Sequence, residues 1–224
     1  MQNEFKVIVN CNRDDRGVMD RLLTDKAFLE KMIMDRGGIV RTAELEKAGF
    51  DYRRVQKLLD EGFLKKLKNG YYSLDGDGKS ADERIRLLFP DGILTMASAL
   101  YVYGFIGDKP AEYHIAIDKN VSRSRFKLKD PTVVPYYVEK SALDFGITKV
   151  SFGGGEMNIY TRERLLCEVL KYEKKFSKNT VDKIVDKFVD NYHSDKHTDM
   201  MELMECAVRR QVKNKVQTRL GDRI

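Results

Sequence analysis

The sequence predicts an α+β protein: an N-terminal winged helix-turn-helix followed by a C-terminal domain with a small mixed sheet and packed helices. Three observations lead there. Residues 1–75 carry helical patterns followed by a hairpin signal, and residues 80–224 place strand-like stretches ahead of a run of helical patterns. Between them lies Asp75-Gly76-Asp77-Gly78-Lys79-Ser80, a polar, glycine-punctuated stretch of the kind that connects domains flexibly. The expected domains are therefore 1–75 and 80–224.

In the first domain Val18, Leu22, Leu23, Leu29, Met32 and Ile33 recur at helical intervals up to Gly37-Gly38, which predicts one or two amphipathic helical segments between residues 16 and 36. A short extended piece, Ile39-Val40, follows. Thr42 is placed to cap a helix running from Glu44 to Ala48 and stopping at Gly49. Asp51 is placed to cap another from Tyr52 to Glu61, stopping at Gly62. A basic, partly apolar run, Phe63-Leu64-Lys65-Lys66-Leu67-Lys68, and an aromatic one, Tyr71-Tyr72-Ser73-Leu74, then flank Asn69-Gly70, the dipeptide best suited to a two-residue type I′ hairpin. Helices followed by a hairpin give the order of a winged helix-turn-helix.

In the second domain helices are expected at 81–89 and 95–103. Tyr113, Ile115 and Ile117 alternate as in a strand, and 133–138 is β-rich, its Pro135 suggesting an edge strand or a bulge. Residues 147–160 read as a hairpin around Gly153-Gly154-Gly155, and helices are expected near 161–175, 179–192 and 198–220.

A chain of 224 residues is long enough for one or two domains with a real core. Its apolar runs are far shorter than the roughly 18 residues of a membrane helix, and Met1 to Val7 lack the pattern of a secretory signal, so no membrane contact and a cytoplasmic location are expected. Cys11, Cys167 and Cys206 fit neither a disulfide framework nor a four-ligand zinc site and read as buried thiols. Lys and Arg number 41 against 35 Asp and Glu, a formal +6 that favours a polyanionic partner. The excess is local. Residues 36–72 hold nine basic groups against five acids, and residues 206–224 hold six against one.

On a helix over 52–61, Val55, Leu58 and Leu59 share a narrow apolar face, leaving Tyr52, Arg53, Arg54, Gln56 and Lys57 on the other sides. Arginine reads guanine edges through two hydrogen bonds and glutamine reads adenine, so this helix is the candidate reader of a duplex major groove. Lys65, Lys66, Lys68 and Asn69 on the hairpin suit phosphate contacts, and Thr42 joins the candidate DNA-binding set. The bland alternative is a solvated charged face.

The segments Gly38-Ile39-Val40-Arg41-Thr42-Ala43-Glu44-Leu45-Glu46-Lys47-Ala48-Gly49 and Glu61-Gly62-Phe63-Leu64-Lys65-Lys66-Leu67-Lys68-Asn69-Gly70-Tyr71-Tyr72 resemble the N-terminal domain of the AbiEi family. Its members are antitoxins and transcriptional autoregulators of bacterial type IV toxin–antitoxin (abortive infection) systems. Leu94 to Gly104, with its Ser98-Ala99-Leu100, and Tyr160-Thr161-Arg162-Glu163-Arg164-Leu165-Leu166 resemble segments of the family's second domain, so the likeness runs in order from about residue 18 to 190. The resemblance implies a first domain that binds inverted operator repeats in double-stranded DNA and represses its own operon. It also implies a second domain that antagonises a cognate toxin resembling nucleotidyltransferases, without a stable complex. The C-terminal basic group Arg209, Arg210, Lys213, Lys215, Arg219 and Arg223 is the surface marked for that antagonism, the bland alternative again being an exposed helix face.

Other patterns point to no cofactor, metal or catalytic residue. Lys79, Ser80 and Arg86 stand where an EF-hand needs a ligand, a glycine and its closing glutamate. Gly153-Gly154-Gly155 lacks the Gly-Lys-Ser/Thr of a phosphate loop and reads as a turn. His193 and His197 stand four apart without the intervening glutamate of a zinc helix, and a polar loop accounts for them. Asp182, Asp186 and Asp190 alternate with lysines on an amphipathic helix. Ser98 and Ser141 sit in no nucleophile elbow. Tyr101, Tyr103, Phe105, Tyr136 and Tyr137 read as core filling, and His114 as a surface or sheet-packing residue. Two rival readings remain: an enzyme acting on nucleic acid or nucleotides that a winged helix delivers, and a repressor with a ligand-sensing second domain.

Overall fold

The computed structural model describes residues 13–128, 130–194 and 198–224, with side chains from residue 24 onward. Cys11 and His197 lie outside the described residues, as do the side chains of Val18, Leu22 and Leu23. The chain is a mixed α+β protein that divides into two compact units between Asp77 and Gly78.

The first unit runs α1 (Arg13–Asp35), β1 (Val40–Arg41), α2 (Thr42–Lys47), α3 (Tyr52–Asp60), β2 (Leu64–Lys68) and β3 (Tyr71–Leu74). The apolar residues between 16 and 36 belong to one continuous helix, α1, which Gly38 closes by donating its N–H to the Ile33 carbonyl at 2.7 Å. The three strands pair antiparallel in the order β1-β3-β2. Leu29 and Ile33 of α1, Val40 of β1, Leu45 of α2, Val55 and Leu58 of α3, and Leu64 and Tyr72 of the hairpin meet with Phe50 in one buried core. Burying each such side chain stabilises by about 1.5–3 kcal/mol.

The second unit begins with α4 (Ala81–Leu88), β4 (Ile93–Leu94), α5 (Met96–Val102) and β5 (Tyr113–Asp118). A 3₁₀ turn (Arg123–Phe126) leads to β6 (Val133–Val138), β7 (Ile147–Phe152) and β8 (Gly155–Tyr160), and then come α6 (Arg162–Lys171), α7 (Lys178–His193), α8 (Met200–Arg209) and α9 (Lys213–Leu220). The sheet order is β6-β5-β4-β8-β7, mixed because β5 with β6 and β4 with β8 run parallel. Pro135 lies on β6, an edge strand, where its missing N–H interrupts no inner ladder. The central strand β4 is only two residues long, too short for any alternation to announce it. The single helix expected over 198–220 is two, broken at Gln211, whose φ of 60° no helix continues.

The glycine run at the β7–β8 turn has a packing reason. A Cβ on Gly153 would stand 2.5 Å from the Asp82 backbone, and one on Gly155 would stand 2.9 Å from the Arg86 guanidinium. Arg86 Nε donates to the Gly153 carbonyl at 3.0 Å. The hairpin therefore lies directly on α4. Among the described residues no helix is long and apolar enough to cross a membrane.

Candidate nucleic-acid interface

Helix α3 forms where its sequence can satisfy both ends. Asp51 caps it by accepting the Arg54 N–H at 2.8 Å, and at the other end Gly62, with φ of 68°, turns the chain back. Val55 and Leu58 are buried and Leu59 half-buried, so the opposite face is committed to solvent. Tyr52, 79% exposed, stands there with Arg53, Gln56 and Lys57.

These side chains are not equivalent. Arg53 makes no ion pair among the described residues. Arg54 is a brace: its guanidinium pairs with Asp25 of α1, donates to the Gly49 carbonyl at 2.8 Å and lies over the Phe50 ring. Gln56 Nε2 donates to Asp60 Oδ1 at 2.9 Å, so its amide is already partnered on the helix. Lys57 Nζ stands 3.8 Å from Glu61, whose carboxyl is held below its usual range by the Lys26 hydrogen bond, against burial, and by the Lys26 and Lys57 charges.

The start of α2 differs from the expectation. Thr42 is not its cap: the helix begins at Thr42, and the preceding Arg41 donates its backbone N–H to Glu44 Oε2 at 2.7 Å. Thr42 instead donates its own N–H to the Gly70 carbonyl at 3.0 Å, which ties the start of α2 to the hairpin turn.

The hairpin also departs from strict alternation. Lys65 pairs with Ser73 and Lys66 with Tyr72, but the register shifts before Lys68, which pairs with Tyr71. This bulge leaves Lys65 and Lys66 both exposed and turns Leu67 and Lys68 both inward. Lys68 is only 5% exposed, its Nζ 4.2 Å from the centre of the Tyr71 ring, so the phosphate contact expected of it is corrected to a packing role. A type I′ turn needs positive φ at both central residues. Only Gly70, at 76°, has it, so the turn is of another class, with Asn69 exposed at its tip. Arg41, which sequence reasoning passed over, stands opposite Tyr71 in the sheet with its guanidinium 5.5 Å over that ring. Its signal was the neighbouring β1 register, which composition does not reveal.

The C-terminal basic group has a different fate. Arg219 Nη1 donates to Asp182 at 2.6 Å and Arg223 Nη2 to Asp186 at 2.8 Å, so α9 and the residues after it neutralise two carboxylates of α7. Lys215 pairs with Glu173 at 2.7 Å, and Arg209 pairs with Asp144 and lies over the Phe145 ring. Arg210 is not a surface residue at all. It is 7% exposed and donates to Glu168 at 2.9 Å, a carboxylate shared with the fully buried Arg164 at 2.7 Å. Of this group only Lys213 makes no ion pair among the described residues.

Two of the remaining readings are corrected: Tyr101, expected as core filling, is exposed, and His193, expected in a polar loop, is the last residue of α7. His193 bonds the Arg223 carbonyl at 2.8 Å. His114 bonds Tyr136 at 3.2 Å, and burial lowers its pKa. Cys167 and Cys206 are buried, and burial pushes the Cys206 thiol up to about 12. Among the described residues no group of three His, Cys, Asp or Glu side chains could hold a metal ion.

No family model matches the chain, and no curated protein matches it. Among solved structures the chain is similar to the RV2827C protein from Mycobacterium tuberculosis, with a TM-score of 0.53 at 15% identity over 80% of this chain and 69% of that one. The likeness is one of fold alone.

Proposed function

We propose that the chain is a DNA-binding antitoxin whose first unit is a winged helix-turn-helix that recognises its own operator. One observation carries the DNA half: the side of α3 turned away from the core presents Tyr52, Arg53, Gln56 and Lys57 to solvent, and the adjoining hairpin presents Lys65, Lys66 and Asn69. A helix with an arginine that is unpaired among the described residues suits base edges, and a short lysine-bearing hairpin suits the phosphates beside them. The inward turn of Lys68 narrows the expected phosphate contacts of the hairpin to Lys65, Lys66 and Asn69, and the bracing of Arg54 narrows the expected readers to Arg53, Gln56 and Lys57. Inverted operator repeats, autorepression and antagonism of a nucleotidyltransferase-like toxin rest on the resemblance of residues 38–49, 61–72, 94–104 and 160–166 to the AbiEi family.

The test uses the full chain. Mobility-shift titrations compare the DNA upstream of its own gene with an unrelated duplex, and co-expression with the neighbouring gene measures protection from toxicity. Preference for the upstream DNA together with protection supports the reading. Equal affinity for both duplexes refutes the operator, and absence of protection by a folded chain refutes the antitoxin.

A further inference from the structure

Helices α1 and α2 of the first unit enclose a groove that none of the expected DNA readers or phosphate contacts lines. From α1 it takes Phe28, Lys31, Met32 and Asp35, whose spacing of three, four and seven positions sets them in one stripe along the helix. From α2 and its end it takes Glu44, Lys47 and Ala48, and its volume is about 400 Å³.

The groove is apolar inside and charged at its rim. Phe28 is 54% exposed although it stacks on the buried Phe50 with ring centres 6.4 Å apart, so a large ring is held out into solvent from beneath. Met32 is buried and Ala48 half-buried. Lys31, Asp35 and Lys47 are exposed, and among the described residues none of the three makes an ion pair. Lys31 precedes Asp35 by four positions, the weaker order for a pair on one helix, and the two do not meet. Arg36 and Glu44 also line the groove and satisfy each other at 3.5 Å.

The stripe thus carries a projecting ring, an apolar recess and an unpaired charge of each sign. These are the two halves of one interface. Turned about a two-fold axis across the stripe, a second copy offers its recess to Phe28, its Asp35 to Lys31 and its Lys31 to Asp35. A surface made for a different protein has no need to hold both the knob and the recess, or both charges. We propose that the α1–α2 groove is the contact between two copies of this chain, with Phe28 of each seated in the groove of the other and Lys31 of each facing Asp35 of the other. The stripe is short beside the roughly 800 Å² per partner of a stable dimer, so the association is weak and follows protein concentration.

The pairing needs no DNA and is measured without it, by sedimentation velocity of the full chain over a concentration series. The wild type should show a monomer–dimer equilibrium that weakens as salt rises. Lys31→Glu alone sets carboxylates against each other, and Asp35→Lys alone sets ammonium groups together, so each variant should raise the dimer dissociation constant by about tenfold or more. An equimolar mixture of the two variants should dimerise again, because one of its two contacts is then native and the other is reversed at both ends. Phe28→Asp should also remove the dimer; because that ring stacks on Phe50, its melting temperature is compared with the wild type's, and the charge variants carry the test if it unfolds. A wild type that is monomeric at every concentration overturns the proposal, as does a dimer that neither charge reversal weakens. Folded charge variants that fail to associate when mixed overturn it too. A monomeric chain that binds the product of the neighbouring gene and loses it with Phe28→Asp assigns the groove to that protein instead. The operator reading stands or falls separately, on the mobility shifts of the wild type and Arg53→Ala.

Discussion

Helices α3 and α9 look alike in the sequence, each a short segment inside a local excess of positive charge, and the fold uses them in opposite ways. On α3 the apolar stripe is spent on the core and the charged side faces water, with Arg53 unpaired among the described residues. On α9 Val216 and Leu220 are buried, but Lys215 and Arg219 reach the carboxylates of Glu173 and Asp182. The difference comes from the neighbours. Beside α9 lies α7, with Asp182 and Asp186 one turn apart on its exposed side. A net charge counted along a window therefore says little about a surface until the acids that fold beside it are known.

The strongest way to break the contrast is to attack a charge cluster that is internal, that of Arg164, Glu168 and Arg210. Glu168 sits between Arg164, which is 0% exposed, and Arg210, and Arg164 Nη1 has no hydrogen-bond partner among the described residues. Removing the shared carboxylate leaves two guanidiniums facing each other in the core. Glu168→Gln should destabilise the protein by roughly 3–5 kcal/mol, the cost of breaking a buried pair by taking one partner away. Thermal melting followed by circular dichroism measures it, and a destabilisation of less than about 1 kcal/mol would show that Arg210 escapes to solvent.

The next effect belongs to α3. Arg53→Ala should weaken binding to the upstream duplex by roughly 1–3 kcal/mol and relax the preference at the base it touches. Arg54→Ala should act differently, because Arg54 is tied to Asp25, the Gly49 carbonyl and the Phe50 ring: its larger effect should be on melting temperature. If the two variants behave alike in both assays, the brace and the reader are not distinct.

Much of this was legible in the sequence and some was not. The glycine stops, the Asp51 cap and the helical spacing of Val55 and Leu58 are local signals, and α3 needs nothing else to be placed. The breaks at Lys66/Lys68 and Gln211 are not local in that sense. The first depends on how β2 meets β3, the second on α8 packing against α6 while α9 meets α7 as well. Thr42 failed as a cap because Arg41 takes that place and Thr42 bonds the hairpin turn at Gly70, far along the chain. Likewise the ion pairs of Arg219 and Arg223 span 37 positions, beyond the reach of any window.

A smaller effect sharpens the contrast within the hairpin itself. Lys65→Gln and Lys66→Gln should each lower the salt slope of duplex binding by about 0.9 if each holds one phosphate. Lys68→Gln should leave the slope as it was, since that ammonium lies against Tyr71 rather than in solvent. A salt series on the three variants decides. Equal slopes for all three lysine variants would mean that the bulge does not separate them in the complex.

The smallest effect lies where α9 meets α7, and it tests the idea that its charges are spent. Arg219 and Asp182 are each partly exposed, so a double-mutant cycle of Arg219→Gln and Asp182→Asn should give a coupling of only about 0.2–1 kcal/mol. Raising the salt concentration should shrink it further. The neighbouring Glu173 gives the sign of the pH dependence. Its Lys215 hydrogen bond, opposed by burial and aided by the charges of Lys215 and Arg219, holds its carboxyl below the usual range. A carboxyl whose pKa is lowered by folding contributes stability above its unfolded pKa, and that contribution disappears as the pH falls through the lower folded value. Lys215→Gln should therefore flatten the acid side of the stability profile slightly and leave its shape above neutrality unchanged. On duplex DNA neither Arg219→Gln nor Lys215→Gln should alter the salt slope, because both side chains already face protein carboxylates. A slope that falls with either would mean that these ion pairs open to meet phosphate, and the contrast between α3 and α9 would then be one of affinity and not of kind.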